Sequence, residues 1–329
     1  MQKRTNENDT PRRLVRRAIE FQRPARVPVW FFNRDHMRGD ILAYPLCMSD
    51  GARSEWGYEM VTLDDGTMGQ PSDPVIPSWD ALDGFVFPEL RPEMRMEGVS
   101  EFLAQAGDRY RLGTLGISGF NLYTFLRGFA NSMVDFLSDA RRSGQLLDRI
   151  FAFECKLFTL AAQHGLDGVH LSDDWGSQDG LLISPELWRE MFRRRYEAQV
   201  AHAHRLGLHV WFHCCGNILA IVKDLHQIGV DVLNISQPNV VDIPRVGRDL
   251  RGRQCFMVPI SYQTVSISGT PADIRREAKR LYECLGSEEG GFIGYVEDYA
   301  CMGMSEENYQ ACARAFLHLQ NKDNGGRTK

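Results

Sequence analysis

The sequence has no run of about 18 consecutive apolar residues, the length that a helix needs to span a bilayer. The N-terminal segment has no apolar core either, so we expect no signal peptide and predict a cytoplasmic location. An excess of positive charge is also missing, because the formal net charge is −5. Neither nucleic acid nor a membrane is therefore an expected partner.

Disulfide and phosphate-binding patterns are absent as well. The eight cysteines are scattered, and in a reducing compartment they would stay thiols, either buried or bound to metal. Neither G-x-x-x-x-G-K nor G-x-G-x-x-G occurs. No Gly/Ser-rich or Pro-rich linker and no short repeat interrupts the chain. The absence of a linker and of repeats predicts one domain over residues 1–329, with a helical N-terminal extension. Polar residues at both ends predict that residues 1–10 and 322–329 are frayed.

From Tyr110 onward, short apolar or β-branched runs alternate with longer amphipathic runs. The short runs predict strands at 111–117, 167–173, 209–214, 230–236, 254–260 and 291–296. The long runs predict helices that include 132–164, 184–206, 217–228, 271–285 and 305–319. Such alternation is typical of a parallel sheet. With a strand-like run at 26–32 and one weaker run, the count reaches about eight, which favours a (β/α)8 TIM barrel over a doubly wound open sheet.

Polar side chains follow several of these predicted strands at the point where each strand ends. They include Asn121, the pair Asp173-Asp174, the segment Cys214-Cys215-Gly216-Asn217, Asn239, and Glu297-Asp298 with Cys301 just beyond. In a barrel the carboxyl ends of the strands form the active-site edge. We therefore expect a polar pocket at that edge.

One strand end, HVWFHCCGN at residues 209–217, changes from a buried strand into metal-binding residue types. A period of two residues places His213 and Cys215 on one face of the strand and Cys214 on the other. An imidazole with a thiolate favours zinc. A third ligand must come from another strand end, where the candidates are Glu297, Asp298 and Cys301. Three protein ligands would leave the fourth position open, as in catalytic zinc sites.

The same features also have ordinary structural explanations. The H-x-C motif is short enough to arise by chance, and a cysteine is commonly a small buried hydrophobe. A carboxylate pair such as Asp173-Asp174 often caps a helix or lies in a solvated loop. Tryptophans such as Trp175 and Trp211 are more often core residues than cofactor contacts. Spacing alone leaves these alternatives open.

Several segments together resemble the uroporphyrinogen decarboxylase superfamily, from about residue 10 to residue 319. The matching segments are RRLVRRAIEFQRPARVPVW, SEWG, DGVHLSDDWGSQDGLLISPELW, HVWFHCCGN, IGVDVLNISQPN, SGTPADIRREAKR, GGFIGYV and SEENY. The resemblance implies an (α/β)8 barrel, in agreement with the strand count.

The superfamily contains two chemistries, and the sequence is similar to the second. Its decarboxylases use no metal and hold a tetrapyrrole's carboxylates with an arginine-rich segment near the N-terminus, whereas the equivalent stretch here reads VPVWFFNRDHMRGD. Its zinc-dependent, corrinoid-linked methyltransferases carry an H-x-C motif at the position of His213 and Cys215. The resemblance therefore implies Zn²⁺ at this motif.

The last strand end departs from the thiol-methylating members of that branch. Those enzymes supply a cysteine at a position nearer Asp298 than Cys301, and here that position is acidic. Glu297 could replace the thiolate, or Cys301 could reach back. The change weakens the case for a thiol acceptor, and the sequence is more similar to O-demethylase methyltransferases.

The resemblance implies transfer of a methyl group from a small methoxylated, aromatic donor to the cobalt(I) corrinoid (cobalamin) of a partner protein, since this chain shows no cobalamin domain. Zinc would be held by His213 and Cys215 together with Glu297 or Cys301. Asp173 or Asp174 would act in catalysis, by positioning the donor or a proton. Substrate-binding candidates are Asn121, Tyr123, Trp175 and Gln178. The sequence leaves a homodimer open.

Three other functions stay open at this point. They are a metal-free decarboxylase, a methylcobamide:thiol methyltransferase, and a catalytically silent barrel that serves as a binding subunit. Metal content distinguishes the first from the zinc enzymes, and an intact His213 and Cys215 pair argues against the last.

Overall fold

The computed structural model describes residues 9–61 and 69–319. The strands in these ranges are β1 (Val29–Phe31), β2 (Ile41–Pro45), β3 (Ser49–Asp50), β4 (Arg53–Ser54), β5 (Met60–Val61), β6 (Gln70–Pro71), β7 (Tyr110–Thr114), β8 (Gly168–Ser172), β9 (His209–Cys214), β10 (Val232–Ile235), β11 (Cys255–Pro259) and β12 (Phe292–Val296). The helices are α1 (Pro11–Ile19), α2 (Trp79–Asp83), α3 (Pro92–Arg95), α4 (Val99–Ala106), α5 (Gly119–Arg127), α6 (Phe129–Ser138), α7 (Ala140–Gln163), α8 (Pro185–Trp188), α9 (Arg194–Arg205), α10 (Val222–Gln227), α11 (Ile243–Leu250), α12 (Pro271–Leu285) and α13 (Glu306–Leu317).

Eight of the strands, β1, β2 and β7 to β12, belong to one parallel sheet, and helices alternate with them along the chain. This arrangement is a (β/α)8 barrel, so the predicted fold class is confirmed. All six strands predicted after Tyr110 are present, and β2 supplies the eighth strand. The remaining four strands are two-residue pieces that form two antiparallel pairs, β3 with β4 and β5 with β6.

Contacts between residues divide the chain into two compact units. Of the described residues, the first unit contains 9–42, 106–110 and 232–319, and the second contains 43–61, 69–105 and 111–231. The single domain expected over residues 1–329 stays a prediction. Most of the segments predicted to be frayed lie outside the described residues, but Thr10 is described, and its side chain accepts a hydrogen bond from the Arg13 amide at the start of α1.

In the first unit, β12 lies between β1 and β11, and β11 pairs with β10. Gly294 in the middle of β12 allows α13 to pack closely, because a Cβ atom there would lie 2.7 Å from the Phe316 ring. Thr270 and Asp273 form a capping box at the start of α12, where each side chain accepts from the other residue's backbone N–H. These local signals explain why the predicted helix 271–285 has the observed bounds.

In the second unit, β8 lies between β7 and β9, and all three strands are parallel. The β8–β9 register places His170 beside Trp211 and Ser172 beside His213. The strand interiors are apolar, with Val210, Trp211 and Phe212 of β9 fully buried. This register sets which side chains meet where the two strands end.

The helix predictions differ from the structure in several places. The helix predicted at 217–228 begins only at Val222. The predicted helix 132–164 is divided at Asp139, whose side chain accepts from the Arg142 amide and starts α7 anew. The predicted helix 184–206 contains a π-helical segment, Arg189–Arg193, between α8 and α9. Helix α11 was not predicted, although Asp242 caps it and Pro244 lies in its first turn. Among the helices of the described residues, none is both long and apolar enough to cross a membrane.

Candidate metal centre

The loops that follow β8 and β9 stay paired beyond the ends of the strands. The Asp173 amide donates to the His213 carbonyl at 3.1 Å, and the Gly176 amide donates to the Cys215 carbonyl at 3.2 Å. Residues 173–176 therefore run beside residues 213–215 as an extension of the parallel ladder. This pairing brings the polar ends of two adjacent strands together.

Two glycines let the loop backbones touch. A Cβ atom on Gly216 would lie 2.0 Å from the Gly176 carbonyl oxygen, and one on Gly176 would lie 2.5 Å from the Asn217 nitrogen. Gly216 also has a φ of +76°, which L side chains rarely adopt. Only glycine at both positions permits this approach, which explains the glycine that follows the two cysteines.

Three ligand-type side chains converge on this paired region. One ligand atom from each of Asp174, His213 and Cys215 lies within 4.8 Å of the others, and these three residues are called the metal group. The Cys215 sulfur is 3.5 Å from His213 Nε2, and Asp174 Oδ1 is 3.6 Å from the same nitrogen. The Cys215 amide donates to Asp174 Oδ1 at 2.7 Å, which holds the carboxylate over the strand ends.

These distances suit one tetrahedral zinc ion. Zinc–nitrogen and zinc–sulfur bonds of about 2.0 and 2.3 Å place the two ligand atoms of a tetrahedral site about 3.5 Å apart. The donor set of imidazole, thiolate and carboxylate is also one that zinc accepts. The side chains of His213 and Asp174 are 19% and 38% exposed, so the group lies at an accessible rim. The residues present therefore fit a zinc ion with an open position.

Cys214 confirms the predicted alternation along β9. Its side chain is fully buried on the opposite face, where the sulfur accepts from the Trp175 amide at 3.1 Å. Burial raises the pKa of the Cys214 thiol well above its ordinary value. A buried, protonated thiol on the far face is a core residue and a poor metal ligand.

A family model for uroporphyrinogen decarboxylase (URO-D) matches residues 65–315, which is more than half of the chain. The chain belongs to the uroporphyrinogen decarboxylase family. The family assignment agrees with the barrel and with the resemblance found in the sequence segments.

Among solved structures, a methyltransferase from Methanosarcina mazei is similar with a TM-score of 0.70 and 16% identity, over 94% of this chain and 99% of that chain. At that identity the likeness concerns the fold alone. The apo form of 3-keto-D-glucoside 4-epimerase from E. coli aligns with a TM-score of 0.40 and 12% identity, over 69% of this chain and 85% of that chain. No curated protein matches the sequence.

The sequence predicted a catalytic role for Asp174, and the structure places its carboxylate beside His213 and Cys215. The catalytic role of Asp174 stays a prediction. A usable signal for this proximity existed, because consecutive strands of a barrel are neighbours and Asp174 follows the strand that precedes β9. The predicted third ligands, Glu297 and Cys301, belong to the first unit. There Glu297 accepts from the Tyr299 hydroxyl at 2.8 Å, and Cys301 is exposed. Their role as ligands stays a prediction.

Asp173, the other carboxylate of the pair, is fully buried. Its Oδ1 accepts from the Asn121 amide at 2.9 Å, and its Oδ2 accepts from the Tyr196 hydroxyl at 2.6 Å. Burial raises the pKa of Asp173 well above its ordinary value, and the neighbouring Glu154 carboxylate adds to the rise. These contacts anchor the start of α5, and a catalytic role for Asp173 stays a prediction.

The four predicted substrate-binding residues occupy different environments. Tyr123 and Trp175 are fully buried, and their polar atoms donate to the Ser143 hydroxyl at 3.0 Å and the Tyr196 hydroxyl at 3.2 Å. Gln178 is exposed in the loop after β8. Asn121 contacts Asp174, because its Nδ2 donates to Asp174 Oδ2 at 3.4 Å. Substrate binding by these residues stays a prediction.

His170 is a nearby histidine that the sequence interpretation did not single out. It lies on β8, and its ring centre is 6.0 Å from that of His213. Burial lowers the pKa of His170 to about 3, so the imidazole is neutral at pH 7. His170, Ser172 and Asp174 alternate along β8 and the loop that continues it, and this period of two residues was a signal that could have found His170.

Glu154 generates a pH prediction for this unit. The Gly119 amide and the Gln199 side chain donate to its carboxylate at 2.7 and 2.6 Å, but burial raises its pKa to about 7. The folded protein therefore binds this proton more tightly than the unfolded chain. Its contribution is most favourable at low pH and declines as pH rises through the interval from about 4.5 to about 7.

We expect the free energy of unfolding of the wild type to fall by about 2 kcal/mol from this group alone between about pH 5.5 and pH 8. Glu154→Gln should reduce the pH dependence by about this amount, as measured by urea unfolding at both pH values. Part of the dependence should remain, because burial also raises the pKa of Asp173. The matched control is Glu197→Gln, on the exposed face of α9 in the same unit, which should keep the wild-type slope. An unchanged slope in Glu154→Gln would show that the buried carboxyl does not titrate in this range.

Proposed function

We propose that this chain is a zinc-dependent methyltransferase that moves a methyl group from a methoxylated aromatic donor to the cobalt(I) corrinoid of a partner protein. The observation that carries the proposal is the convergence of Asp174, His213 and Cys215 at two adjacent strand ends. Membership of the family and the fold likeness to a methyltransferase support it. The aromatic character of the donor rests on the resemblance to O-demethylase members.

The three side chains leave room for a substrate oxygen as the fourth ligand. When bound there, zinc would supply Lewis acidity to the ether oxygen, which is needed because a phenoxide is a poor leaving group. His213 and Cys215 would hold the ion from one strand, and Asp174 would hold it from the next. The role of this chain is to fix those donors and to orient the ether.

The transfer balances as a displacement at the methyl carbon. The carbon–oxygen bond breaks, and its electron pair stays on the oxygen, which takes up a proton to give the phenol. Cobalt(I) of the partner's corrinoid supplies both electrons of the new cobalt–carbon bond and becomes cobalt(III). No additional oxidant or reductant is needed for this step. The corrinoid is a second substrate, so turnover requires the partner.

The two arginines of segment 27–40, which is equivalent to the arginine-rich segment of the decarboxylases, favour methyl transfer over tetrapyrrole decarboxylation. Arg34 pairs with Asp298 at 3.0 Å and with Glu306 at 2.8 Å. Arg38 pairs with Asp35 at 2.9 Å. Both guanidinium groups are therefore engaged by carboxylates of the protein, and they do not form an open cluster for the carboxylates of a substrate.

The protein should contain about one zinc per chain, and His213→Ala and Cys215→Ser should each lose it while the barrel stays folded. Asp174→Asn should weaken zinc binding by more than the roughly 10–100-fold that loss of an outer-shell partner costs. Elemental analysis of protein purified without added metal, with a competition titration for affinity, measures both quantities. Asp179→Asn is the matched control, because it makes the same change on an exposed side chain of the same loop.

The same titration tests the ligands predicted on the last strand, through Glu297→Gln and Cys301→Ser. A larger loss of zinc in Glu297→Gln than in Asp174→Asn would transfer the carboxylate role to Glu297. Less than half an equivalent of zinc in the wild type, with no gain in activity on adding zinc, would contradict the metal proposal.

Turnover should require the second protein. The chain alone should leave a methoxylated aromatic compound unchanged, because it carries no acceptor for the methyl group. With a reduced corrinoid protein it should form methylcobalt(III) and the free phenol in equal amounts, as measured by visible absorption and chromatography. Cys215→Ser should abolish both products, and Asp179→Asn should retain them. Release of carbon dioxide from a carboxylated substrate by the chain alone would establish the decarboxylase function instead.

A further inference from the structure

The Asn121 carboxamide contacts Asp174 at two atoms. Asn121 Oδ1 accepts from the Asp174 amide at 3.2 Å, and Asn121 Nδ2 donates to Asp174 Oδ2 at 3.4 Å. One side chain thus contacts both the backbone and the carboxylate of a single residue. Such a two-point contact restricts the rotation of the Asp174 side chain as well as the path of its backbone.

The two oxygens of Asp174 face different partners. Oδ1 accepts from the Cys215 amide at 2.7 Å and lies 3.6 Å from His213 Nε2, on the side of the metal group. Oδ2 is the oxygen that accepts from Asn121. The carboxylate is therefore oriented with one oxygen toward the metal group and the other toward Asn121.

Asn121 can fix Asp174 only if its own position is rigid. It lies in the first turn of α5, and buried side chains hold that turn in place. Two buried carboxylates accept from backbone amides of its first turn, Glu154 from Gly119 at 2.7 Å and Asp173 from Asn121 at 2.9 Å. Gly119 has a φ of +38°, and a Cβ atom there would lie 2.3 Å from Asp173 Oδ2. The close packing of α5 against Asp173 therefore requires glycine at position 119.

We infer that Asn121 is a positioning residue, which holds Asp174 with a single oxygen, Oδ1, directed at the metal. This inference rests on the proposed zinc site and assigns to Asn121 a task different from substrate binding. Outer-shell partners of this kind orient a ligand and restrict its rotation, and their removal typically lowers metal affinity by about 10–100-fold. The effect of Asn121 should pass entirely through Asp174.

The test is a double-mutant cycle on zinc affinity. Asn121→Leu keeps the approximate size of the side chain and removes both polar contacts, so it should weaken zinc binding by about 10–100-fold. In an Asp174→Ala background, the same substitution should change the affinity by less than about twofold, because nothing is left for Asn121 to position. The visible spectrum of the cobalt(II)-substituted protein should also differ between the wild type and the Asn121→Leu single variant.

Asn131→Leu is the matched control. Asn131 lies on α6 in the same unit, and its side chain donates to the Arg127 carbonyl at 2.9 Å. This variant should keep wild-type zinc affinity and the wild-type cobalt spectrum. Asn121→Ser, which is smaller and leaves space for water, provides a second variant with the same expected loss if Asn121→Leu does not fold.

The outcomes separate this inference from the proposed function. Wild-type affinity in Asn121→Leu, or an equal loss in the Asp174→Ala background, would overturn the positioning role while the zinc site stands. A wild-type protein that binds no zinc would overturn both. A loss seen only when Asp174 is present supports the inference.

Discussion

The backbones of the two loops that follow β8 and β9 touch at Gly176 and Gly216. The positions of Asp174, His213 and Cys215 depend on that contact. The contact continues the parallel ladder past the strand ends, so that Asp174 faces His213 and Cys215. A side chain at either glycine would separate the loops. Backbone packing therefore brings the three ligand residues together, and the Asn121 side chain then orients the Asp174 carboxylate.

Behind this contact lies a buried polar layer that anchors the start of α5. Asp173, Glu154 and Tyr196 are buried. Glu154 and Asp173 accept hydrogen bonds from the start of α5, and the Tyr196 hydroxyl donates to Asp173. Adjacent residues in the sequence thus have opposite tasks, since Asp173 points into the protein and Asp174 points to the rim. The period of two residues, which separates Cys214 from His213 and Cys215, divides this carboxylate pair in the same way.

The fold could be predicted from the sequence because its signals are local. Strand β9 was predicted with the observed bounds because its residues form a buried apolar run. Helix α12 was also predicted with the observed bounds, because a capping box marks its start. The H-x-C pair was also predictable, because two ligands on one strand need only the strand period. The carboxylate of Asp174 was harder to assign, because its meeting with His213 depends on the register between two strands and on two glycines far apart in the chain. The burial of Tyr123 and Trp175 depends likewise on helix packing that no single segment reveals.

The most direct test of the metal centre is X-ray absorption at the zinc edge of the protein as purified. A site made by Asp174, His213 and Cys215 predicts one sulfur neighbour at about 2.3 Å, with the remaining neighbours nitrogen or oxygen at about 2.0 Å. Two or more sulfur neighbours would contradict this ligand set and bring in a second cysteine, for which Cys301 is the candidate. A first shell without sulfur would exclude Cys215 and with it the central claim.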